Sequence, residues 1–320
     1  MEKTLTFPGL GLEFHLNPIL LSITDSYGIH WYGAIIAVGF LLAVLWCCRQ
    51  SSRFGIRQDD LIDMLFFAVP IGIIGARLYY VCFEFQNLYY VEGNVGETLR
   101  RIVRVWDGGL AIYGGVIAAV LTVLVVSRVK KISFPAFVDL GCMGLLIGQC
   151  IGRWGNFVNV EAFGSVTDVP WRMAGPNVAS YLLNHGLVDE TVYQQIVDGA
   201  LGVHPTFFYE SLWNLAGFLL IAFVVARRRN FDGQVFLSYV AWYGIGRFWI
   251  ESLRTDSLYV FGTLLRVSQL LAGASALAAI GLIAFGLWYG KAHGPRPLYV
   301  ERVREQVNEK EKDDHVGEDP

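Results

Sequence analysis

Charge is scarce in this sequence. Asp, Glu, Lys and Arg make up 17% of its 320 residues, where a soluble domain carries about 25%, so a soluble globular fold is excluded. The net charge of −3 supplies no basic surface for nucleic acid, and no nucleic-acid partner is expected. Cysteine is sparse and unpatterned. Cys47, Cys48, Cys82, Cys142 and Cys150 are odd in number, show no CxxC spacing and lie in or beside apolar runs. That excludes a disulfide framework and a zinc site and reads as buried thiols. A cleavable leader is missing too. Lys3 is followed by Thr-Leu-Thr-Phe-Pro-Gly-Leu-Gly, too broken for an apolar signal core, with no small-residue cleavage site behind it. The first apolar span is therefore expected to act as its own signal.

What is abundant is apolar length. Hydrophobic residues make up 54% of the chain and the mean hydropathy is +0.45. Seven stretches of about 20 residues are each long enough to cross a bilayer as a helix. They run from His30 to Cys48, Asp60 to Phe83, Gly108 to Arg128, Phe137 to Ile151 and onward, Thr206 to Arg227, Gly233 to Ile250, and Ser268 to Tyr289. The fold class this predicts is an all-α integral membrane protein with seven transmembrane helices. The polar insertion 156–204 is large enough for a small cap of its own between the fourth and fifth helices. Residues 1–28 read as a surface segment, 29–290 as the membrane domain and 291–320 as a charged tail with an unstructured end. Basic clusters at 49–57, 128–131 and 227–229, together with the tail, fall on one side, which the positive-inside rule makes cytoplasmic. The N-terminus, the 84–107 loop and the 156–204 cap are then extracytoplasmic. Nine Trp and fifteen Tyr suit an interfacial aromatic belt.

Against that apolar background the polar residues are informative. The stretch 148–164 places Gln149, Arg153, Asn156, Asn159 and Glu161 where the fourth span leaves the hydrocarbon. Ionisable groups at that depth are costly and face a protein interior or a wet cavity. Counting from the cytoplasmic starts of their helices, Arg77 and Arg247 lie about 20–27 Å up and Arg153 about 30 Å. Tyr32 and Tyr113 lie at the outer ends of the first and third spans. Three arginines at one level repel one another unless an anion joins them, and a phospholipid phosphate suits their forked donors. Internal pairing of Arg77, Glu161 and Glu251 is the alternative. Gln149, Asn156 and Asn159 serve either to orient substrate oxygens or to close helix ends. The paired glycines 108–109 and 114–115 around Tyr113 form a narrow wall for an acyl chain or for a neighbouring helix. His204-Pro205-Thr206 reads as a helix start, with a capping role for His204 set beside a catalytic one.

Several motifs in register resemble those of the prolipoprotein diacylglyceryl transferase family. They are Trp-Asp-Gly-Gly-Leu-Ala-Ile-Tyr-Gly-Gly-Val-Ile at 106–117, Gly-Arg-Trp-Gly-Asn-Phe-Val-Asn at 152–159 with Glu161 and Gly164, His-Pro-Thr-Phe-Phe-Tyr-Glu at 204–210, and Tyr-Gly-Ile-Gly-Arg-Phe-Trp-Ile-Glu-Ser-Leu-Arg at 243–254. His30-Trp-Tyr-Gly33 and Gly-Ala-Arg77 fit as well, and the resemblance covers roughly residues 28–290. It implies a seven-helix enzyme of the bacterial plasma membrane. Such an enzyme moves the diacylglyceryl group of phosphatidylglycerol onto the lipobox cysteine of a preprolipoprotein signal peptide, forming a thioether and releasing glycerol 1-phosphate. By position, Arg153 and Arg247 match the family's essential arginines. Asn156, Gly164 and Tyr32 match other sensitive positions, and Glu161 and Glu251 match its acidic ones. Arg77 and Arg254 are counted with the phosphatidylglycerol-binding set. Tyr113 stands where many members carry the histidine proposed as base.

The chemistry asks for a base near neutrality, because a cysteine thiol titrates near 8.5 and attacks as thiolate. Phenols titrate near pH 10, so Tyr113 is expected to hydrogen-bond substrate, and Glu161, Glu251 and His204 are the candidate bases. No cofactor and no metal are expected. A transporter would show midplane polar groups and internal repeats, and the sequence shows neither. Another phospholipid-processing transferase is the nearer rival. A compartment reporter fused after Arg229 is expected to read cytoplasm, and one near Asn184 the outside. The same compartment at both sites would remove the shared level of Arg153 and Arg247.

Overall fold

The structure, a computed structural model, describes residues 3–22, 28–254 and 266–316. Its helices in chain order are α1 Trp31–Gln50, α2 Gln58–Glu84, α3 Val95–Val103, α4 Ile112–Val129, α5 Phe134–Asn159, α6 Pro176–Asn184, α7 Glu190–Val197, α8 Thr206–Leu220, α9 Gln234–Glu251, α10 Val267–His293 and α11 Tyr299–Val316. Short strands accompany them: β1 Lys3–Phe7, β2 Leu12–Leu16, β3 Ile19–Ser22, β4 Gly28–His30, β5 Val166–Thr167 and β6 Gly202–Val203. Among the described residues six helical segments are long and apolar enough to cross a membrane. The protein is a multi-pass, largely helical membrane protein. The expected count was seven. The difference is α9, 18 residues long, whose Gln234, Arg247 and Glu251 make it too polar to join the six.

The chain divides into two compact units, Met1–Cys47 with Asp139–Pro297, and Cys48–Val138 with Leu298–Pro320. In the first unit, α9 and α10 meet along small residues. A side chain at Gly244 would run into the Ala272 carbonyl and Ala276, and Ala272, Ala276 and Ala279 recur at helical spacing on the buried face of α10. Such seams let backbones approach where no hydrophobic driving force separates helix from lipid. α8 and α9 are joined by Trp213 and Trp242, stacked at 4.4 Å. Each indole donates to the other's main-chain carbonyl, at 3.0 and 2.9 Å. Buried Asp139 of α5 accepts from the Gly233 and Phe236 amides, both at 2.7 Å, and so caps the start of α9.

Residues 160–203 have a core of their own. Val160, Phe163, Met173, Val178, Leu182, Ile196 and Val203 are buried together, and Leu5 and Phe7 of the N-terminal hairpin belong to the same cluster. β1 and β2 pair antiparallel with Lys3 opposite Leu16. Main-chain bonds then run from Thr6 to Ala174 and from Met173 to Val203, and Val166 faces Val203 in the β5–β6 pair. The N-terminal segment, expected only to lie on the membrane surface, is thus stitched into the insertion. Alternation of polar and apolar residues in Thr4–Phe7 was the available signal, and four residues were too few to reveal the partner.

In the second unit, α2 passes through Pro70 and packs closely on α4. An added Cβ at Gly114 would lie 2.4 Å from the Gly75 carbonyl oxygen, and one at Gly75 would lie 2.8 Å from the Gly114 oxygen. Of the two readings of the glycine wall, the neighbouring helix is what fills it at 114–115. The first pair, Gly108 and Gly109, precedes the helix with φ of +89° and +75°, so the span starts at Ile112, later than expected. At the other end Lys130 bridges Asp60 at 2.9 Å and Asp63 at 2.5 Å, which ties the last turn of α4 to the first of α2. These carboxylates raise the Lys130 pKa above its ordinary value.

The tail carries the charge expected of it, and its end, expected to be unstructured, falls partly outside the described residues. It is helical over Tyr299–Val316, with no Gly or Pro to break it, and the Leu298 amide is met by Glu301 at 2.8 Å. Residues 317–320 lie outside the described residues. Gly114→Val is expected to destabilise the second unit by about 1–3 kcal/mol through overpacking. Thermal unfolding in micelles, followed against Gly141→Ala where an added methyl meets open space, measures it.

Candidate active site

The site is built from the last two turns of α5. The helix does not stop at the apolar boundary near Ile151 but continues to Asn159, so Arg153 and Asn156 are held on rigid helical backbone. Beyond it the chain turns through two left-handed residues that are not glycine, Val160 at φ +51° and Ala162 at +54°. Each costs about 1–2 kcal/mol, more for a β-branched side chain. Between them sits Glu161. The turn brings its Oε1 within 3.3 Å of the Asn156 amide nitrogen and 3.2 Å of that of Asn159. Strain of this kind persists where surrounding structure enforces it, and here the buried core of the insertion does so.

The second cluster gathers on Glu210 of α8, which is 4% exposed. Its carboxylate pairs with Arg153 of α5 through Oε2. Oε1 faces Arg247 of α9 at 3.5 Å and Arg254 beyond α9 at 3.4 Å. Arg247 also meets Glu251 one turn further, at 2.6 Å, and Glu251 accepts from Ser268 of α10 at 2.7 Å. Three guanidiniums thus meet one buried carboxylate. Arg153 meets Glu210 through a terminal nitrogen, and a guanidinium with five N–H donors has more to give than one shared carboxylate can take. Its side chain is 23% exposed, and an anion can reach it. Sequence reasoning overlooked Glu210 as a site residue. The signal was there: it is the single charged residue in Thr206–Leu220, and a lone acid in an apolar helix demands a partner.

The remaining expected residues are placed as follows. Gly164 lies where three segments cross. A side chain there would come within 2.8 Å of both His204 Cβ and the Leu253 carbonyl. Its amide donates to His204 at 2.9 Å and Ser165 donates to Leu253 at 2.6 Å, so the glycine pins the chain leading to Arg254 against the start of α8. His204 caps nothing, since the N-cap position is Pro205; its ring meets the Tyr209 hydroxyl at 3.2 Å. Burial lowers the His204 pKa from its ordinary value. The Tyr32 ring lies against α5 at Gly155.

Arg77 and Tyr113 belong to the second unit. All five donors of Arg77 are used by main-chain carbonyls. Nε donates to Ile102 at 2.8 Å, Nη1 to Gly108 and Gly109, and Nη2 to Arg101 and Arg104. A guanidinium so engaged has its N–H groups committed to the main chain. It holds the 101–109 loop. Tyr113 is 58% exposed in the first turn of α4. Among the described residues no group of three or more His, Cys, Asp and Glu side chains is placed to hold a metal ion.

Residues 18–285 match the sequence profile of the family described as prolipoprotein diacylglyceryl transferase. The chain belongs to that family. Among its relatives, the phosphatidylglycerol–prolipoprotein diacylglyceryl transferase of Listeria welshimeri is 41% identical over 286 residues, 89% of this chain and 94% of the relative. The enzyme of the same name from Geobacillus kaustophilus is 42% identical over 283 residues, 88% and 94% of the two chains. That from Lactiplantibacillus plantarum is 42% identical over 269 residues, 84% and 88%. The family match contains both polar clusters. It leaves the β1–β2 hairpin and α11 outside its bounds.

Taking away the carboxylate tests the second cluster. Glu210→Ala is expected to cost about 3–5 kcal/mol, the penalty for leaving partly buried charge without its counter-ion. Thermal unfolding in micelles reads this, and a variant as stable as the parent would mean that Glu210 does not hold the guanidiniums.

Proposed function

We propose that this chain transfers the diacylglyceryl group of phosphatidylglycerol to the thiol of a lipobox cysteine in a prolipoprotein, at the outer face of the bacterial plasma membrane. The observation that carries the proposal is the convergence of Arg153, Arg247 and Arg254 on Glu210, with donors of Arg153 left for an anion. In this reading α9 is the seventh span. Residues 160–203 with the β1–β2 hairpin form the extracytoplasmic cap, the N-terminus is outside and α11 is cytoplasmic. The basic clusters after the first, third and fifth spans support that orientation.

The reaction requires a sulfur–carbon bond to form at the terminal glyceryl carbon as the carbon–oxygen bond to phosphate breaks. The thiol proton goes to a base, and the bonding pair leaves on the phosphate oxygen as glycerol 1-phosphate. Phosphate charge therefore rises as the bond breaks. Arginines fixed in advance and shielded from water stabilise the leaving group more than the bound lipid, which is what lowers the barrier. Glu210 keeps the guanidiniums at one place without neutralising all three. Glu161 is the base this arrangement favours. Two amides fix its Oε1, which leaves Oε2 for the thiol proton, whereas Glu251 is committed to Arg247 and Ser268. Gly164 acts through the crossing it permits, and Tyr32 and Tyr113 line the outer ends of their helices.

Purified protein in phosphatidylglycerol vesicles with a lipobox peptide is expected to yield a diacylglyceryl peptide and free glycerol phosphate. Arg153→Lys is expected to lose about 10²–10³ in turnover, because a point charge does not replace the fork. Glu161→Gln is expected to flatten the alkaline rise of the pH–rate profile. Full activity in the lysine variant would reduce the arginines to charge balance, and an unchanged profile would move the base elsewhere.

A further inference from the structure

His204 stands at the crossing of the cap and the end of α9, and the groups around its ring determine what it can do. Trp171, in the insertion, donates its indole N–H to the Tyr209 hydroxyl at 2.6 Å. An indole nitrogen is a donor only, so the phenol oxygen accepts there. The phenol has one proton to give. Among the described residues its remaining contact is with His204 Nδ1, at 3.2 Å. With its oxygen taken by Trp171, the phenol is placed to give its proton to Nδ1, and the imidazole hydrogen would then reside on Nε2. Among the described residues no acceptor meets Nε2.

We propose that Tyr209 and Trp171 are positioning residues that hold His204 in its neutral Nε2–H tautomer, so that His204 offers a hydrogen bond to a substrate oxygen and does not serve as the base. The placement suits the role. Tyr209 precedes Glu210 on α8. The His204 main chain is bonded to Gly164, which bridges Arg254. The His204 backbone is thus held at the crossing that leads to Arg254, and an N–H offered from there would add to the arginines. Taking a proton at Nδ1 would cost the bond the phenol gives there and put charge on a ring whose pKa burial lowers. Trp171 extends the same control from the insertion, since losing its N–H frees the phenol to rotate away. This rests on the transfer reading above for its effect on activity, but the tautomer itself does not.

The experiment uses the full chain in phosphatidylglycerol nanodiscs with ¹⁵N-labelled histidine, the His204 signals being assigned by their loss in His204→Gln. At pH 7.5 the parent is expected to show the Nε2–H tautomer, and Tyr209→Phe a mixture of both tautomers. Trp171→Phe should lie between, with its half-exposed ring spared any large packing change. An Nδ1–H tautomer or an imidazolium in the parent overturns the proposal, and so does a Tyr209→Phe spectrum identical to the parent's.

Activity supplies the second arm. His204→Gln, whose amide N–H replaces that on Nε2, is expected to keep turnover within about tenfold, the worth of one hydrogen bond. His204→Ala should fall further. Equal loss in both variants overturns the donor role. If the parent itself transfers nothing from phosphatidylglycerol to the peptide, the transfer reading fails while the tautomer result still stands or falls alone.

Discussion

The molecule's polar centre depends on one carboxylate that cannot be left alone. Glu210 sits in an apolar helix, almost wholly out of solvent, where an unpaired charge costs several kcal/mol. Its partners come from α5, from α9 and from the chain beyond α9, so the helices of the first unit cannot separate at that level without exposing uncompensated charge. The pairing is a poor source of net stability, since desolvation consumes most of the Coulomb gain. Its value is location. Three guanidiniums that would otherwise repel are held within reach of one point, and their donors are in place before any substrate arrives.

That arrangement is braced along the length of the helices. At the far end of α9, Asp139 takes two amides of its first turn. Further along, Gln149 of α5 donates to the Tyr239 hydroxyl at 3.0 Å. Nearer the charges, the two tryptophans lock α8 to α9, each indole bonding the other's carbonyl. α5 is thereby registered to α9 at two heights below the Arg153 pair, and α8 at one. A site whose supports are rigid loses little when substrate binds, because its groups need no ordering at that moment.

The other half of the site is strained where the first is braced. Val160 and Ala162 accept left-handed backbone to aim Glu161 back at Asn156 and Asn159, and Gly164 admits a crossing that no side chain would allow. Both distortions are sustained by the buried core that the insertion shares with the N-terminal hairpin. Lys3 of that hairpin donates to the Asn159 carbonyl at the end of α5, where a positive charge suits the helix dipole. The hairpin, which lies outside the family match, thus supports the turn that carries a candidate base.

Much of this protein was legible in its residues alone. The apolar spans and the motifs around Arg153 and Arg247 follow from transfer free energies and local spacing, and these are properties of short stretches. The helical character, the membrane location and the family followed from them. Tertiary structure decided what local spacing cannot express. It recruited Glu210, whose meaning lies in partners 37 to 57 residues away. It made Arg77 a clamp on main-chain carbonyls, because which donors are used depends on where a loop folds back. It found partners for the charges of α9, Arg247 on Glu210 of α8 and Glu251 on Ser268 of α10. And it placed the Tyr209 hydroxyl, itself met by the Trp171 indole, against the His204 ring, a pairing that no property of the histidine announces.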